Sequence, residues 1–460
     1  MSTFSEIQLS EIELGRMDAE YYRPQFTRLS KSISERPNTS IRRAGGKIDC
    51  SAFYPSIVPY YNFNQQGTPF LRVNEIQDGL LSIDNNTAFL PKEILEHNHS
   101  TIATCQPGDL IIAKGGNSLG KVALLTEQYP EYSVCRDVLV VRTQDISKIN
   151  RFYLWMYLHS DIGQSLLIRT ASQTGQPHLT IDSVASLKIP LISEVEQQKI
   201  HSNYMFAEAA MRTSREASTK ARQLIDFELG LENLEFSKPV GYTATFSQIG
   251  RSLRFDSERY YPAFESLIKR LPNHIHMTSL GSVLESCRRG KQPLYSEYGL
   301  PVLNSKHILQ NKIILEGNRF ARPNADRDLQ IRFGDVLING TGRGTIGRSA
   351  PYLVADQSSI PDNHVTILRS SELDPAYLSF YLNSLAGRLQ VEMHQRGSSG
   401  QLELYPFDIR KFQVWIAPKD IQNEIRRLSD LATDSAKQSQ QLLDETKARV
   451  ERLIEEAVAA

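Results

Sequence analysis

The chain has 460 residues, too long for one ordinary hydrophobic core, so two domains or more are expected. Its composition, 40% hydrophobic and 23% charged, is that of a globular protein, and no run of 18 or more apolar residues is present to span a bilayer. The 52 basic residues balance 52 acidic ones, which argues against a polyanion-binding surface over the whole molecule but leaves room for local basic patches.

The start, MSTFSEIQLSEIEL, alternates polar and apolar residues without a basic or an apolar block, so no signal peptide is expected. The four cysteines, Cys50, Cys105, Cys135 and Cys287, lie far apart, as scattered reduced thiols of a cytoplasmic protein would. Then comes MDAEYYRPQF, which returns near the middle as FDSERYYPAF. Asp18/Asp256, Glu20/Glu258, Tyr22/Tyr260, Pro24/Pro262 and Phe26/Phe264 match at an offset of about 238.

The repetition continues in order. GDLIIAKGGNSLG pairs with GDVLINGTGRGTIG, with Lys114 set against Asn339. VLVVR ending at Arg142 pairs with VTILR ending at Arg369, YLWMYLHSDIG with YLSFYLNSLAG, GQPHLTI with GQLELYP, and EQQKI with IQNEI. Each copy therefore reads as short strands broken by Gly and Pro, a short helix, a polar Gly/Ser/Gln loop, an apolar strand and a long charged helix.

The resulting expectation is an α+β fold. A first domain covers 1–193, a central helix 194–235, a second domain 236–418 and a C-terminal helix 419–460. In the last helix Ile421, Ile425, Leu428, Ala432, Ser435, Ser439, Leu442, Thr446, Arg449 and Leu453 step by four and three, an imperfect heptad seam. The central helix offers Tyr204, Ala207, Ala217, Ala221, Leu224 and Leu231. Helices this polar are marginal alone, so the two are expected to pack antiparallel as a coiled coil, with a domain at each end.

GGNSLGKV at 115–122 approaches a phosphate-binding loop but has Val122 where a Ser or Thr must meet Mg²⁺. The second copy supplies Ser349 but has Arg348 in place of Lys121. Neither loop is complete, and strands, not a long helix, follow. Both read as β-hairpins whose glycines take positive φ. SAPY at 349–352 lacks the groups that would hold a target amine. Pro361-Asp362 and the ETK of 445–447 are too far separated for a nuclease site, and His97 and His99 lack further metal ligands. No catalytic apparatus is evident.

The duplicated motifs, taken together and in order, resemble the specificity subunit of Type I restriction–modification systems over nearly the whole chain. The resemblance implies two target recognition domains, each followed by a long helix, the two helices forming a spacer. A helix of ~35 residues is ~50 Å long, about 15 base pairs of duplex at ~3.4 Å each. The target would then be two half-sites split by a fixed gap, asymmetric because the copies differ. Leu402 and Glu403 replace Pro177 and His178, and LPVLNSKHI only loosely matches TPFLRVNEI.

DNA-contacting candidates in the first copy are the hairpin residues Lys114, Asn117 and Ser118, the loop cations Arg136 and Arg169, and Gln173, Gln176 and His178 of the polar loop. In the second copy they are Arg288, Arg289, Lys291 and Arg319, the hairpin arginines Arg343 and Arg348, and Arg396 and Gln401 of the polar loop. Arg and Lys neutralise phosphates or pair with guanine, and Gln pairs with adenine. The partners implied are double-stranded DNA, two modification (methyltransferase) subunits and restriction subunits. S-adenosylmethionine and ATP would sit on those partners, and no metal or cofactor on this chain. The alternative reading is a non-catalytic protein–protein adaptor that does not read DNA.

Overall fold

The computed structural model describes residues 7–459 apart from 10, 11, 13–15, 17, 53–56, 78, 84–86, 172–176, 233, 235, 237–240, 323–326, 343, 356 and 398–401. The chain divides into two compact units. The first takes Met1–Ala209 with Gln438–Ala460, and the second takes Ala210–Lys437. Each long helix, Glu194–Glu228 and Lys419–Ala459, thus gives one part of its length to each unit.

The first unit is organised on an antiparallel sheet in the order Lys47–Cys50, Val138–Arg142, Leu110–Ala113, Val122–Leu124. Alternate side chains go to opposite faces of a strand. Leu110, Ile112, Leu139 and Val141 accordingly pack with the helix Arg151–His159 and its surroundings. Ile111, Ala113, Val138 and Val140 pack on a second sheet, which contains Thr68–Leu71 parallel to Tyr132–Val134. Both faces are covered, which is why these strands are apolar throughout.

The second unit has the same plan. Its antiparallel sheet runs Ser286–Arg289, Val365–Arg369, Val336–Asn339, Ser349–Pro351. Leu300–Leu303 lies parallel to Ile360–Pro361, so LPVL and TPFL are structural equivalents despite their loose match. In both units a small antiparallel pair, Asn38–Ser40 with Lys188–Pro190 and Met277–Ser279 with Gln413–Trp415, closes the domain.

The repeated letters have repeated jobs. The hydroxyls of Tyr153 and Tyr157 donate to Pro190 O and Lys188 O, and those of Tyr377 and Tyr381 to Trp415 O and Gln413 O. Ser160 and Ser384 cap the next helix by accepting from the Gly163 and Gly387 amides. A side chain at either glycine would strike the carbonyl of Tyr157 or Leu382, so the turn into that helix requires glycine. Gln197 and Gln422 accept from the Asn150 and Asp374 amides at 2.5 and 2.8 Å, tying the short helix to the base of the long one.

The duplicated Asp of each Gly-Asp turn meets the duplicated Arg of VLVVR or VTILR. Asp335 is buried and takes Arg369 Nε and Nη2 both at 2.7 Å, which raises the guanidinium pKa. Asp109 accepts from the Gln106 and Thr143 amides and sits 3.7 Å from Arg142.

The α+β class holds, and the long helices pack against each other in both units. In the first, Arg449 pairs with Glu196 at 3.2 Å and Asn203 donates to Thr446 at 3.0 Å, an antiparallel arrangement. In the second, Ser214 donates to the Ala432 carbonyl at 2.6 Å. The seam departs from the heptad reading. The buried residues are Gln422, Ile425, Leu428, Ser429, Ala432, Ser435, Ser439, Leu443, Thr446, Val450 and Ile454, so Leu442, Arg449 and Leu453 give way to their neighbours one position on. Ile225 likewise replaces Leu224. One three-residue step has become a four-residue step, so, Ser429 apart, eight steps run from Ile425 to Ile454 and the period is about 3.6, that of a straight α-helix rather than of a strict heptad. Among the described residues, no helix is long and apolar enough to cross a membrane.

Candidate nucleic-acid interface

In each unit the glycine-rich hairpin and the polar loop after the short helices come together. In the first, the Gly120 amide donates to Ala113 O, and Ala113 N donates to Lys121 O. In the second, Gly347 N donates to Asn339 O, and Asn339 N to Arg348 O. Ala113 is therefore the counterpart of Asn339 and Lys114 that of Gly340, which corrects the pairing of Lys114 with Asn339. Asn339 is buried, and its amide donates to Ser305 O at 3.1 Å. The phosphate-loop resemblance dissolves into hairpins, with Gly120 and Gly347 both at φ +80°.

The polar loop docks on this hairpin through the backbone. Leu179 N donates to Lys114 O at 2.9 Å, and Leu404 N to Gly340 O at 2.8 Å. One residue away, Gly115 bridges to His178 and Thr341 to Glu403. A side chain at Gly115 would run into the His178 ring. The turn before the long central strand completes the junction: Lys114 N donates to Asp137 O and Gly340 N to His364 O.

The junction differs between the units at four matched positions. Cys50, Gly115, Asp137 and His178 occupy the places of Arg289, Thr341, His364 and Glu403. In the second unit these side chains interlock. Arg289 donates to the Asn363 carbonyl at 2.6 Å, pairs with Glu403 at 3.2 Å and lies 5.5 Å from the Tyr405 ring centre. Tyr405 and then Arg289 hold the Glu403 carboxyl below the usual range, and the same bond raises the Tyr405 hydroxyl. Thr341 Oγ1 lies 2.7 Å from His364 Nδ1.

Lys114, Asn117, Ser118 and His178 thus share one junction, with exposed Arg136 beside Asp137. Arg289, Arg348 and Arg396 share the other, Arg396 exchanging both backbone hydrogen bonds with Glu403. Arg288 is exposed and pairs with Asp328. Lys291 is exposed, and Arg319 lies 3.4 Å from the Tyr295 ring centre on the second sheet. Gln173, Gln176, Arg343 and Gln401 lie outside the described residues.

Arg169 must be corrected. It is buried, donates to Tyr21 O at 2.8 Å and lies 3.9 Å from the Tyr21 ring, so its guanidinium is engaged inside the fold and not on a surface loop. It belongs to a strap that the sequence reading missed. Arg16 donates to the carbonyls of Arg169 and Ala171, and Arg254 to those of His394 and Gln395. Tyr22 and Tyr260 donate in turn to the carbonyls of Arg16 and Arg254. The matching Arg two residues before Asp18 and Asp256 was the available signal. Among the described residues, no group of His, Cys, Asp or Glu is placed to hold a metal ion.

The family model of the Type I restriction modification DNA specificity domain matches residues 55–206, which take in the first hairpin, its polar loop and the start of the central helix. That stretch of the first unit is therefore similar to a Type I restriction–modification specificity domain, the resemblance that the motifs led one to expect. Three solved structures are similar to the chain. The Type I restriction–modification S subunit from M. genitalium is 13% identical with a TM-score of 0.42, covering 92% of this chain and 95% of that one. The HsdS subunit from Thermoanaerobacter tengcongensis is 14% identical with a TM-score of 0.29, covering 90% and 96%. A structure concerned with complex assembly and conformational transition of the Type I system is 16% identical with a TM-score of 0.31, covering 92% and 96%. The comparison with curated proteins returned no match.

Proposed function

We propose that the chain is the DNA sequence-recognition subunit of a Type I restriction–modification complex, without catalysis of its own. Each unit reads one half of an asymmetric bipartite target, and the paired long helices set the gap. Two modification subunits dock on the helices and the duplicated opening segments, bringing S-adenosylmethionine. Restriction subunits, where they join, bring ATP.

One observation carries this reading. The same junction is built twice on the same scaffold, yet Cys50, Gly115, Asp137 and His178 are exchanged for Arg289, Thr341, His364 and Glu403. Base edges are read by the hydrogen-bonding type of the side chain opposite them. Two readers with one backbone frame and different donors and acceptors would select different half-sites. An adaptor that held two identical subunits would have no use for that difference.

The test is a long-read adenine-methylation map of the host with the gene intact and deleted. A bipartite, asymmetric motif methylated on both strands and lost on deletion is the expected result. Identical maps, together with DNA binding whose affinity does not fall with salt, would establish the adaptor instead.

A further inference from the structure

The surface beside the second junction differs from the first in a way that hydrogen-bond readout does not use. Leu179 and Leu404 hold equivalent places on the hairpins, and each is followed by a short helix, Ile181–Ala185 or Pro406–Ile409. Phe407 therefore stands where the first unit has Asp182, Asp408 where it has Ser183, and Lys411 where it has Ser186.

In the first unit Asp182 is an exposed carboxylate paired with Arg42. In the second, Phe407 is 51% exposed and its ring stacks on Tyr405 at 5.5 Å and 12°. Arg396 lies 4.9 Å and Lys411 5.3 Å from its centre. Both cations share one buried carboxylate. Asp408 takes Arg396 Nε and Nη2 at 2.6 and 3.0 Å and Lys411 Nζ at 3.3 Å. Burial alone would raise the Asp408 carboxyl, but the two cations reverse this and hold it low. Asp256 also acts on Arg396 but is itself paired with Arg254, so the two cations on Asp408 leave a net positive charge beside an exposed aromatic face. Asp408 fixes both side chains, so little order remains to be gained on binding.

We propose that Phe407 contacts the duplex in the second unit and has no counterpart in the first. Its ring packs on the methyl group of a thymine, the apolar feature of the major groove, while Arg396 and Lys411 face the flanking phosphates. Duplex DNA is the fitting occupant because the apolar patch is cation-lined and continuous with the Arg289–Glu403 junction. The inference rests on the DNA-reading function proposed above.

The experiment is selection from a random duplex library. It uses the full chain purified from its host with whatever subunits it carries, as wild type, Phe407→Ala and Phe407→Leu. The wild type should enrich a bipartite motif with a thymine in one half. Phe407→Ala should lose preference at that position by roughly ten-fold, with the other half-site unchanged. Phe407→Leu, which keeps an apolar contact, should retain most of it. Replacing that thymine with uracil, which lacks the methyl, should weaken the wild type and leave Phe407→Ala indifferent. A wild type that enriches no motif would overturn the DNA-reading function and this proposal together. Three proteins with one motif and one affinity would overturn this proposal alone. Phe407 is exposed, so its replacement should leave the melting temperature unchanged, and a shared melting profile separates lost contact from lost fold.

Discussion

Asp335→Ala tests the account of the repeated Asp–Arg pair most directly. Asp335 is 1% exposed and accepts from Arg369 twice at 2.7 Å and from the Arg332 amide at 2.8 Å. Removing one partner of a buried ion pair costs about 3–5 kcal/mol, because the other charge is left without compensation. The Arg369 side chain is 24% exposed, so water recovers part of that cost, and about 2–3 kcal/mol is expected. In the first unit, Asp109→Ala should cost less, about 1–2 kcal/mol. Asp109 lies 3.7 Å from Arg142, which keeps a 3.0 Å contact with Asp49 when Asp109 is gone. Native-state hydrogen exchange of the strands Val365–Arg369 and Val138–Arg142 reads the two units separately. Asp335→Asn, which keeps an acceptor for the Arg332 amide, should fall between the wild type and Asp335→Ala. A loss below 1 kcal/mol for Asp335→Ala, or an equal loss for Asp109→Ala, would refute the reasoning.

At the hairpins, Gly120→Ala should cost about 1 kcal/mol for its positive φ. Gly347→Ala should cost more by thermal or denaturant unfolding, since its new methyl would lie 2.6 Å from Val391 as well. In the seam, Val450→Ala should destabilise by about 1–2 kcal/mol and Arg449→Ala by less than about 1; the reverse order would restore the heptad register. His394 is buried, and burial followed by the Arg259 charge pushes its pKa down from 6.5 to about 4. The unfolded chain therefore binds a proton first as pH falls. The stability contributed by neutral His394 is complete above about pH 6.5 and is lost toward pH 4, by up to roughly 3 kcal/mol. His394→Phe should flatten that part of the second unit's stability–pH curve, and an unchanged slope would show that the ring is not the titrating group.

The duplication was legible because each repeated letter has a structural partner that is also repeated. Tyr153/Tyr377, Gln197/Gln422 and Gly163/Gly387 each make the same hydrogen bond or close approach twice. What escaped depends on where a side chain ends up rather than on what it is. Arg169 and Arg136 are both loop cations in sequence, but only the backbone around Tyr21 turns Arg169 inward. The seam shift at Leu443 and Val450 lies within helical spacing, where a period of 3.5 and one of 3.6 part only after several turns. Opposing Lys114 to Asn339 matched a charged residue with a polar one, whereas the hairpin hydrogen bonds match Lys114 with Gly340.

The two copies also show which residues are free to differ. At the buried pairs Asp335–Arg369 and Gln422 with the Asp374 amide, changing the side chain alone costs kilocalories, and there the two copies have the same residue. At the junction, side chains hang on a frame made by backbone hydrogen bonds: Leu179 to Lys114, Leu404 to Gly340, and the amides of Lys114 and Gly340 to Asp137 and His364. Backbone bonds place no demand on side-chain identity. Replacing His178 by Glu403, or Asp137 by His364, therefore leaves the frame standing and alters only what it presents. The second unit has used that freedom to tie Arg289, Glu403 and Tyr405 to one another. The first, with Cys50 and His178 in the places of Arg289 and Glu403, cannot form that charge pair. A scaffold of this kind separates stability from what the junction presents, the separation that the function proposed above requires.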